Sequence, residues 1–269
     1  MSDSVRSKIH PTAIVHPDAI LGENVEIGEY AYVGAGVRLG NNCRLHHHAT
    51  VDGNSEIGDD NEFFPYCCVG LKSQDKKYAG GKPGLKVGTR NVCREFCTVH
   101  AATNDGDYTI VGSDNLFLAY THIAHDCVVG SHVVFSNNGT LAGHVTVEDH
   151  VILGGLSAVH QFCRLGAYAM IGGCSKIVQD VPPYTIADGN PAVLRSVNKV
   201  GMERAGFSAE QIREVRNLYR LFFRSNLTRG QINENLPELI AGGLGEHFCR
   251  FIQESKRGVL TASQSQSEE

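Results

Sequence analysis

The chain is predicted to be mainly β, a parallel β-helix of hexapeptide repeats with a small C-terminal α-helical domain. Three observations predict this. A bulky apolar residue recurs every six positions, as Ile9, Val15, Leu21, Ile27, Val33 and Leu39, and the rhythm persists to Leu165, Ile171 and Ile177. A glycine often follows it (Gly22, Gly28, Gly34, Gly154, Gly166), and the fourth residue after it is usually small (Ala13, Ala31, Cys43, Ser157, Ala169). Beyond Val181 the period changes to that of an amphipathic helix. A period of six fits neither a lone helix nor a lone strand, but it fits a solenoid whose coils stack. Residues n and n+18 then lie one above the other, about 4.8 Å apart.

Residues 9–181 form the repeat, within a first domain spanning 1–190. Two excursions interrupt it, at 71–86 (LKSQDKKYAGGKPGLK) and 100–110 (HAATNDGDYTI). The register is the same on both sides of each. Loops that leave a solenoid and return without disturbing it tend to lie on its binding face. Pro182-Pro183 ends the strand ladder, because proline has no N–H to donate. A connector follows, with a turn at Gly189-Asn190-Pro191. The second domain is placed at 191–260. Ser208 and Gln211 read as a capping box, and Ile212, Val215, Leu218, Tyr219 and Phe222 follow at helical spacing. Further helix starts are read at Thr228–Gln231 and Pro237, and a last helix at Glu246–Glu254. The polar residues 261–269 read as a disordered tail.

Composition bounds the function. The chain has 269 residues, a formal net charge of −5, 42% hydrophobic and 20% charged residues. A net negative charge argues against nucleic acid and against an anionic membrane surface as partners. No N-terminal apolar run reaches the length of a signal peptide or a membrane span, so stable membrane insertion is not expected and a cytoplasmic location is. Of nine cysteines, five (Cys43, Cys67, Cys97, Cys127, Cys163) occupy the small slot of the hexad and Cys93 the large one. They read as small core residues rather than as disulfides.

The 18-residue coil sorts the histidines into columns. His122, His125, His144 and His160 fall near one corner over three successive coils, with Asp126 under His144, and with Gly143 and Gln161 above His125. Such a cluster suits metal binding through neutral imidazoles or general-base catalysis. For the base, Asp126 would hold the ring of His125 in one tautomer, and Gly143 would let a backbone N–H approach an oxyanion. No serine or cysteine stands out as a nucleophile, so direct transfer is preferred to a covalent intermediate.

The stretches VGSDNL at 111–116, HIAHDC at 122–127, NGTLAGH at 138–144, AVHQF at 158–162, QDVPPY at 179–184 and GFS at 206–208 resemble the UDP-N-acetylglucosamine O-acyltransferase family of lipid A biosynthesis. The resemblance runs from about residue 9 through the helical cap. It implies that the β-helix is left-handed and that the molecule is a homotrimer with active sites between subunits. It further implies transfer of an (R)-3-hydroxyacyl chain from acyl carrier protein to the 3-hydroxyl of UDP-N-acetylglucosamine, with no metal or redox cofactor. His125 would be the general base, Asp126 its orienting partner and Gly143 the oxyanion donor. Gln74, Asp75, Lys77, His122, His144, His160 and Gln161 match substrate-contacting positions. Asn198 and Arg204 match positions that hold the nucleotide, and Gly173 matches the position that limits acyl-chain length.

The chain departs from the family at Ala101-Ala102, where Arg-Gly is common after the preceding histidine, and at Ala205, often a second arginine. Arg213, Arg216, Arg220 and Arg224 recur along the first long C-terminal helix as a basic stripe that an acidic carrier protein would fit. Three other readings carry a test. A histidine–metal enzyme resembling the γ-carbonic anhydrases would hold metal after purification, although His122-x-x-His125 lacks their five-residue spacing. A non-catalytic solenoid would not need His125. An N-acyltransferase would prefer a diamino analogue of the sugar.

Overall fold

The computed structural model describes residues 7–225, 227, 231–232, 236, 240 and 242–262. Short parallel strands, most of two residues, stack into three sheets of eleven, nine and eight strands among the described residues. Successive strands visit the three sheets in turn, so the chain winds a triangular prism. The inward residue of each strand is the bulky apolar one of the hexad, and the small residue lies in the turn. Val33, Leu45, Phe63, Phe117, Phe135, Leu141 and Leu165 are 0–1% exposed.

Most turns hold one residue in the left-handed region, among them Asn42 (φ 56°), Asp126 (φ 61°) and His144 (φ 60°). Asparagine and aspartate tolerate this region better than most residues. Where the small slot at one corner is asparagine, the amides knit neighbouring coils together. Asn91 donates to Asn61 Oδ1 (2.9 Å) and to the Gly112 carbonyl (3.0 Å), and its own Oδ1 accepts from the Asn115 N–H (3.1 Å). All three side chains are buried and paired, as buried amides must be.

The 18-residue register holds wherever no loop intervenes: Ile123 pairs with Leu141 and Leu141 with Val159. Across the loops the step lengthens. Phe63 lies beside Cys93, and Cys93 beside Phe117. Both excursions are shorter than the sequence suggested. Gly84–Val87 and Tyr108–Val111 are paired strands, drawn into the prism by Leu85 and Thr109, both fully buried. Both loops leave the second sheet and return to the third, so they emerge from one corner on successive coils.

Pro182-Pro183 does not end the first sheet. The segment read as a connector folds into an antiparallel hairpin, Thr185–Gly189 with Ala192–Val197, whose first strand pairs with Met170–Ile171. The hairpin covers the last coil, where a stack would otherwise present an unpaired edge. The helices α1 (Lys199–Arg204), α2 (Ala209–Phe223) and α3 (Gly243–Gln253) follow.

Ser208 and Gln211 form the expected reciprocal capping box, and α2 buries Ile212, Val215, Leu218 and Tyr219 against the core. The Pro237 helix start and most of the Thr228–Gln231 start lie outside the described residues, as do 263–269 of the tail. Thr261 and Ala262 are not part of a free tail: the Thr261 carbonyl accepts from the Leu194 N–H (2.9 Å), and Ala262 bridges Leu194. All nine cysteines are free, seven of them buried, with Cys174 exposed. No described helix is long and apolar enough to cross a membrane.

Candidate active site

The corner between the second and third sheets carries the histidine cluster. His125 and Asp126 occupy the turn after the strand His122–Ile123, and Gly143 and His144 occupy the same turn one coil higher. The His144 N–H donates to the His125 carbonyl (3.1 Å), and the Phe162 N–H to the Gly143 carbonyl (3.2 Å). His160, Gln161 and Phe162 continue the corner above.

His125 Nδ1 lies 2.7 Å from Asp126 Oδ2, and His144 Nε2 lies 3.6 Å from the same oxygen. The His125 and His144 rings meet edge to face at 5.3 Å, and His144 stacks on Phe162 at 4.6 Å. The side chains of His125 and Asp126 are 13% and 10% exposed.

The second loop supplies what the sequence reading did not name. Thr103, buried, donates its N–H to Asp126 Oδ1 (3.1 Å), and its hydroxyl lies 2.7 Å from Asp126 Oδ2, 3.1 Å from His125 Nδ1 and 2.8 Å from Ser73 Oγ. The Asp126 N–H donates to Thr109 Oγ1 (2.8 Å). Burial pushes the Asp126 carboxyl up. That push is outweighed by the hydrogen bonds from Thr103 and His125 and by the charge of His144, which hold it below the ordinary aspartate value.

An ionised carboxylate only accepts. The one hydroxyl proton of Thr103 therefore goes to Asp126, Ser73 donates to Thr103, and His125 Nδ1 carries its proton toward Asp126. This count leaves His125 Nε2 with a free lone pair, the form a general base requires.

Gly143 borders that nitrogen. A Cβ added there would lie 2.6 Å from His125 Nε2 and closer still to Cε1. The Gly143 N–H donates to no acceptor among the described residues.

The first loop reaches the same place. Ligand atoms of Asp75, His125 and His144 all lie within 4.8 Å of one another, a set that could also hold a divalent metal. The Asp75 N–H donates to Ser73 Oγ (3.1 Å), and Asp75 Oδ1 accepts from the Lys77 N–H (2.9 Å). Gln74 and Lys77 are exposed on this loop. His122 lies on the strand below the corner, with its Nδ1 2.7 Å from Thr98 Oγ1 and its ring 5.2 Å from His100. Burial and the nearby His125 hold the His122 imidazole below its ordinary value. Burial, then His122 and His125, push His100 down to about 4.

Of the remaining positions, His160 and Gln161 lie on the coil above, and Asn198, Arg204 and Gly173 lie apart. His160 is exposed, its Nδ1 turned to the Gln161 carbonyl (3.2 Å). Asn198 is a buried helix cap: its Oδ1 accepts from the Gly201 N–H (3.1 Å), and its Nδ2 donates to the Tyr168 carbonyl (2.9 Å). Arg204 is exposed in the last turn of α1. Gly173 lies on a different corner, between the first and second sheets, where an added Cβ would meet only the Gly155 carbonyl at 3.4 Å. Ala101 and Ala102, where the family carries Arg-Gly, are buried at the root of the second loop. Ala205 is the exposed C-cap of α1.

Thr103 lay within a recognised loop, but nothing in its spacing announced that it faces Asp126. The only available signal was the undisturbed register around the loop, which sends it out of the corner that holds His125.

Comparison with known proteins adds independent findings. A family model described as UDP N-acetylglucosamine O-acyltransferase, domain 2, matches residues 180–260, and one described as bacterial transferase hexapeptide (six repeats) matches residues 6–41. The acyl-[acyl-carrier-protein]–UDP-N-acetylglucosamine O-acyltransferase of Verminephrobacter eiseniae is 49% identical over 87% of this chain and 90% of its own length. The solved structure of LpxA from Acinetobacter baumannii matches with a TM-score of 0.88 at 42% identity, covering 94% of this chain and 99% of that one. The UDP-N-acetylglucosamine acyltransferase of Francisella novicida matches with a TM-score of 0.92 at 33% identity, covering 97% and 96%. The fold is accordingly mainly β, a left-handed parallel β-helix with small C-terminal helices.

Proposed function

The chain belongs to the family of acyl-[acyl-carrier-protein]–UDP-N-acetylglucosamine O-acyltransferases, and from that premise we propose how its own residues perform the transfer. The substrates are acyl carrier protein loaded with an (R)-3-hydroxyacyl chain and UDP-N-acetylglucosamine, and the reaction is the first step of lipid A biosynthesis. The observation that carries the mechanism is the 2.7 Å contact of His125 Nδ1 with Asp126, with Gly143 beside the opposite edge of the ring.

His125 Nε2 takes the proton of the sugar 3-hydroxyl as its oxygen attacks the thioester carbonyl. Asp126 orients the ring and favours the imidazolium that forms. The Gly143 N–H stabilises the negative oxygen of the tetrahedral intermediate. Collapse breaks the carbon–sulfur bond, and the imidazolium returns the proton to the departing thiolate. No metal or redox cofactor enters the scheme.

Gln74, Asp75 and Lys77 on the first loop, with His122, His144, His160 and Gln161 along the corner, contact the bound sugar and acyl hydroxyl. Asn198 and Arg204 hold the nucleotide, Arg204 through phosphate. For Asn198 this leaves one amide hydrogen, because the rest of its carboxamide is engaged as the helix cap.

Gly173 limits the acyl chain, and the absence of a side chain leaves room for a longer one. Gly173 and His125 lie at opposite edges of the second sheet, so one acyl chain is bordered by both when corners of two chains meet. That supports a homotrimer with active sites between subunits. Arg213, Arg216 and Arg220, all exposed on α2, form the surface on which the acidic carrier protein lands. Arg195, Lys199, Arg216, Arg220 and Arg224 extend it around a groove of about 250 Å³. Cytoplasmic residence is part of the same proposal, as is a division of labour between 1–190, which carries the chemistry, and 191–260, which receives nucleotide and carrier protein.

The test is an assay of the purified chain offering UDP-N-acetylglucosamine and its diamino analogue with a series of hydroxyacyl carrier proteins, read by mass spectrometry. The acyl ester of UDP-N-acetylglucosamine is expected as the main product. His125→Ala should lower the rate by about 10²–10⁴ with the fold intact; an unchanged rate would overturn the assignment of the base.

A further inference from the structure

A continuous line of hydrogen bonds joins the two loops to the His125–Asp126 pair. It runs from the Asp75 N–H to Ser73 Oγ (3.1 Å), from Ser73 to Thr103 (2.8 Å), and from Thr103 to Asp126 Oδ2 (2.7 Å). The ionised carboxylate has no proton to give, so the single Thr103 proton goes to Asp126 and Ser73 must donate to Thr103, which fixes the direction of the line. Ser73 and Thr103 are each 5% exposed, and their hydroxyls face one another inside the corner. Thr103 also gives its backbone N–H to the other Asp126 oxygen (3.1 Å).

We propose that Thr103 is a positioning residue for acyl transfer. Its hydroxyl and backbone N–H hold both oxygens of Asp126, so that the carboxylate fixes the Nδ1–H tautomer of His125, and Ser73 ties the loop bearing Asp75 to the same hydroxyl. This inference rests on His125 being the general base, and it adds what selects the ring's reactive form.

The backbone N–H bond survives any side-chain change at 103, so the hydroxyl can be tested alone. Thr103→Val keeps the shape and removes the donor to Asp126 and the acceptor for Ser73. A carboxylate relieved of one donor concentrates charge on the oxygen facing His125 and favours the protonated ring. The other titratable groups facing the pair are Asp75 from the first loop, His144 from the coil above, and His100 and His122 from the strands below. These are unchanged in the variant.

The experiment compares the full chain with Thr103→Val, Thr103→Ser and His125→Ala, measuring kcat, KM and the pH profile of kcat/KM from pH 5 to 9. Thr103→Val is expected to lower kcat by roughly 10- to 100-fold with KM changed less than about threefold. The acid limb of its profile should move to higher pH. Thr103→Ser should restore both the rate and the limb.

The proposal is overturned if Thr103→Val leaves the acid limb in place, or if the serine variant is as impaired as the valine one. If His125→Ala keeps the parent rate, the general-base reading falls and this proposal with it. An inactive His125→Ala beside a parent-like Thr103→Val sinks the role of Thr103 alone.

Discussion

A Cβ on Gly143 would stand 2.6 Å from Nε2 of His125, inside the contact distance of a carbon and a nitrogen. The glycine is needed for proximity, since its backbone conformation lies outside the left-handed region. Gly143→Ala must therefore push the imidazole aside or shift the turn, and it also crowds the N–H assigned to the oxyanion. Its kcat is expected to fall by about 10²–10³, while the thermal midpoint changes little. A parent-like kcat would remove Gly143 from the mechanism.

The cluster of Asp75, His125 and His144 makes the site sensitive to zinc. Their ligand atoms lie within 4.8 Å of one another, near enough that a small inward movement of the side chains brings them onto one ion with bonds of about 2.0–2.2 Å. Added zinc should inhibit transfer, and a chelator should restore it. Asp75→Asn should blunt the inhibition, as seen in the zinc concentration giving half-maximal rate. Equal sensitivity in parent and variant would show that the ion binds elsewhere.

His100 gives the fold a pH dependence on the acid side. Burial, then the neighbouring His122 and His125, lower its folded value to about 4 from an ordinary 6.5. Between those values the unfolded chain binds a proton that the folded chain refuses, so stability decreases as pH falls through this window and is fully present above it. His122 is shifted in the same direction and adds to the effect. Thermal midpoints measured from pH 7 to pH 5 should fall, and His100→Gln should fall less steeply. Identical slopes would contradict the account.

Asn91 tests the corner ladder. Truncation to alanine leaves the Asn115 N–H without its acceptor in a buried turn, and takes the side-chain donor from Asn61 Oδ1 and from the Gly112 carbonyl, which keep only backbone donors. The loss is expected to be about 1–3 kcal/mol for the unpaired group, measured as a shift in the denaturant midpoint. Activity of the folded fraction should be unchanged, since His125 lies at another corner.

Much of this molecule was legible from its residues alone. Ile27, Leu45 and Phe117 at multiples of six dictated inward columns, because a bulky apolar residue on every two-residue strand can be buried only if the chain turns back on itself each time. The same arithmetic brought His125, Gly143 and His144 to one corner, since the column of a residue depends only on its number once the register is known. The capping box at Ser208 was equally readable, because capping is local.

Tertiary structure decided the rest. The loops lengthen the step from 18 to 30 residues between Phe63 and Cys93, so column arithmetic does not say which loop residue meets which turn. Only the folded chain brings Ser73 and Thr103 together and turns both toward Asp126. It also converts the segment after Pro183 into a hairpin that closes the first sheet, and it commits most of the Asn198 carboxamide to a helix cap. Short-range spacing fixes what a regular coil repeats; hydrogen bonds between irregular segments depend on where distant parts of the backbone come to rest, and no local pattern encodes that.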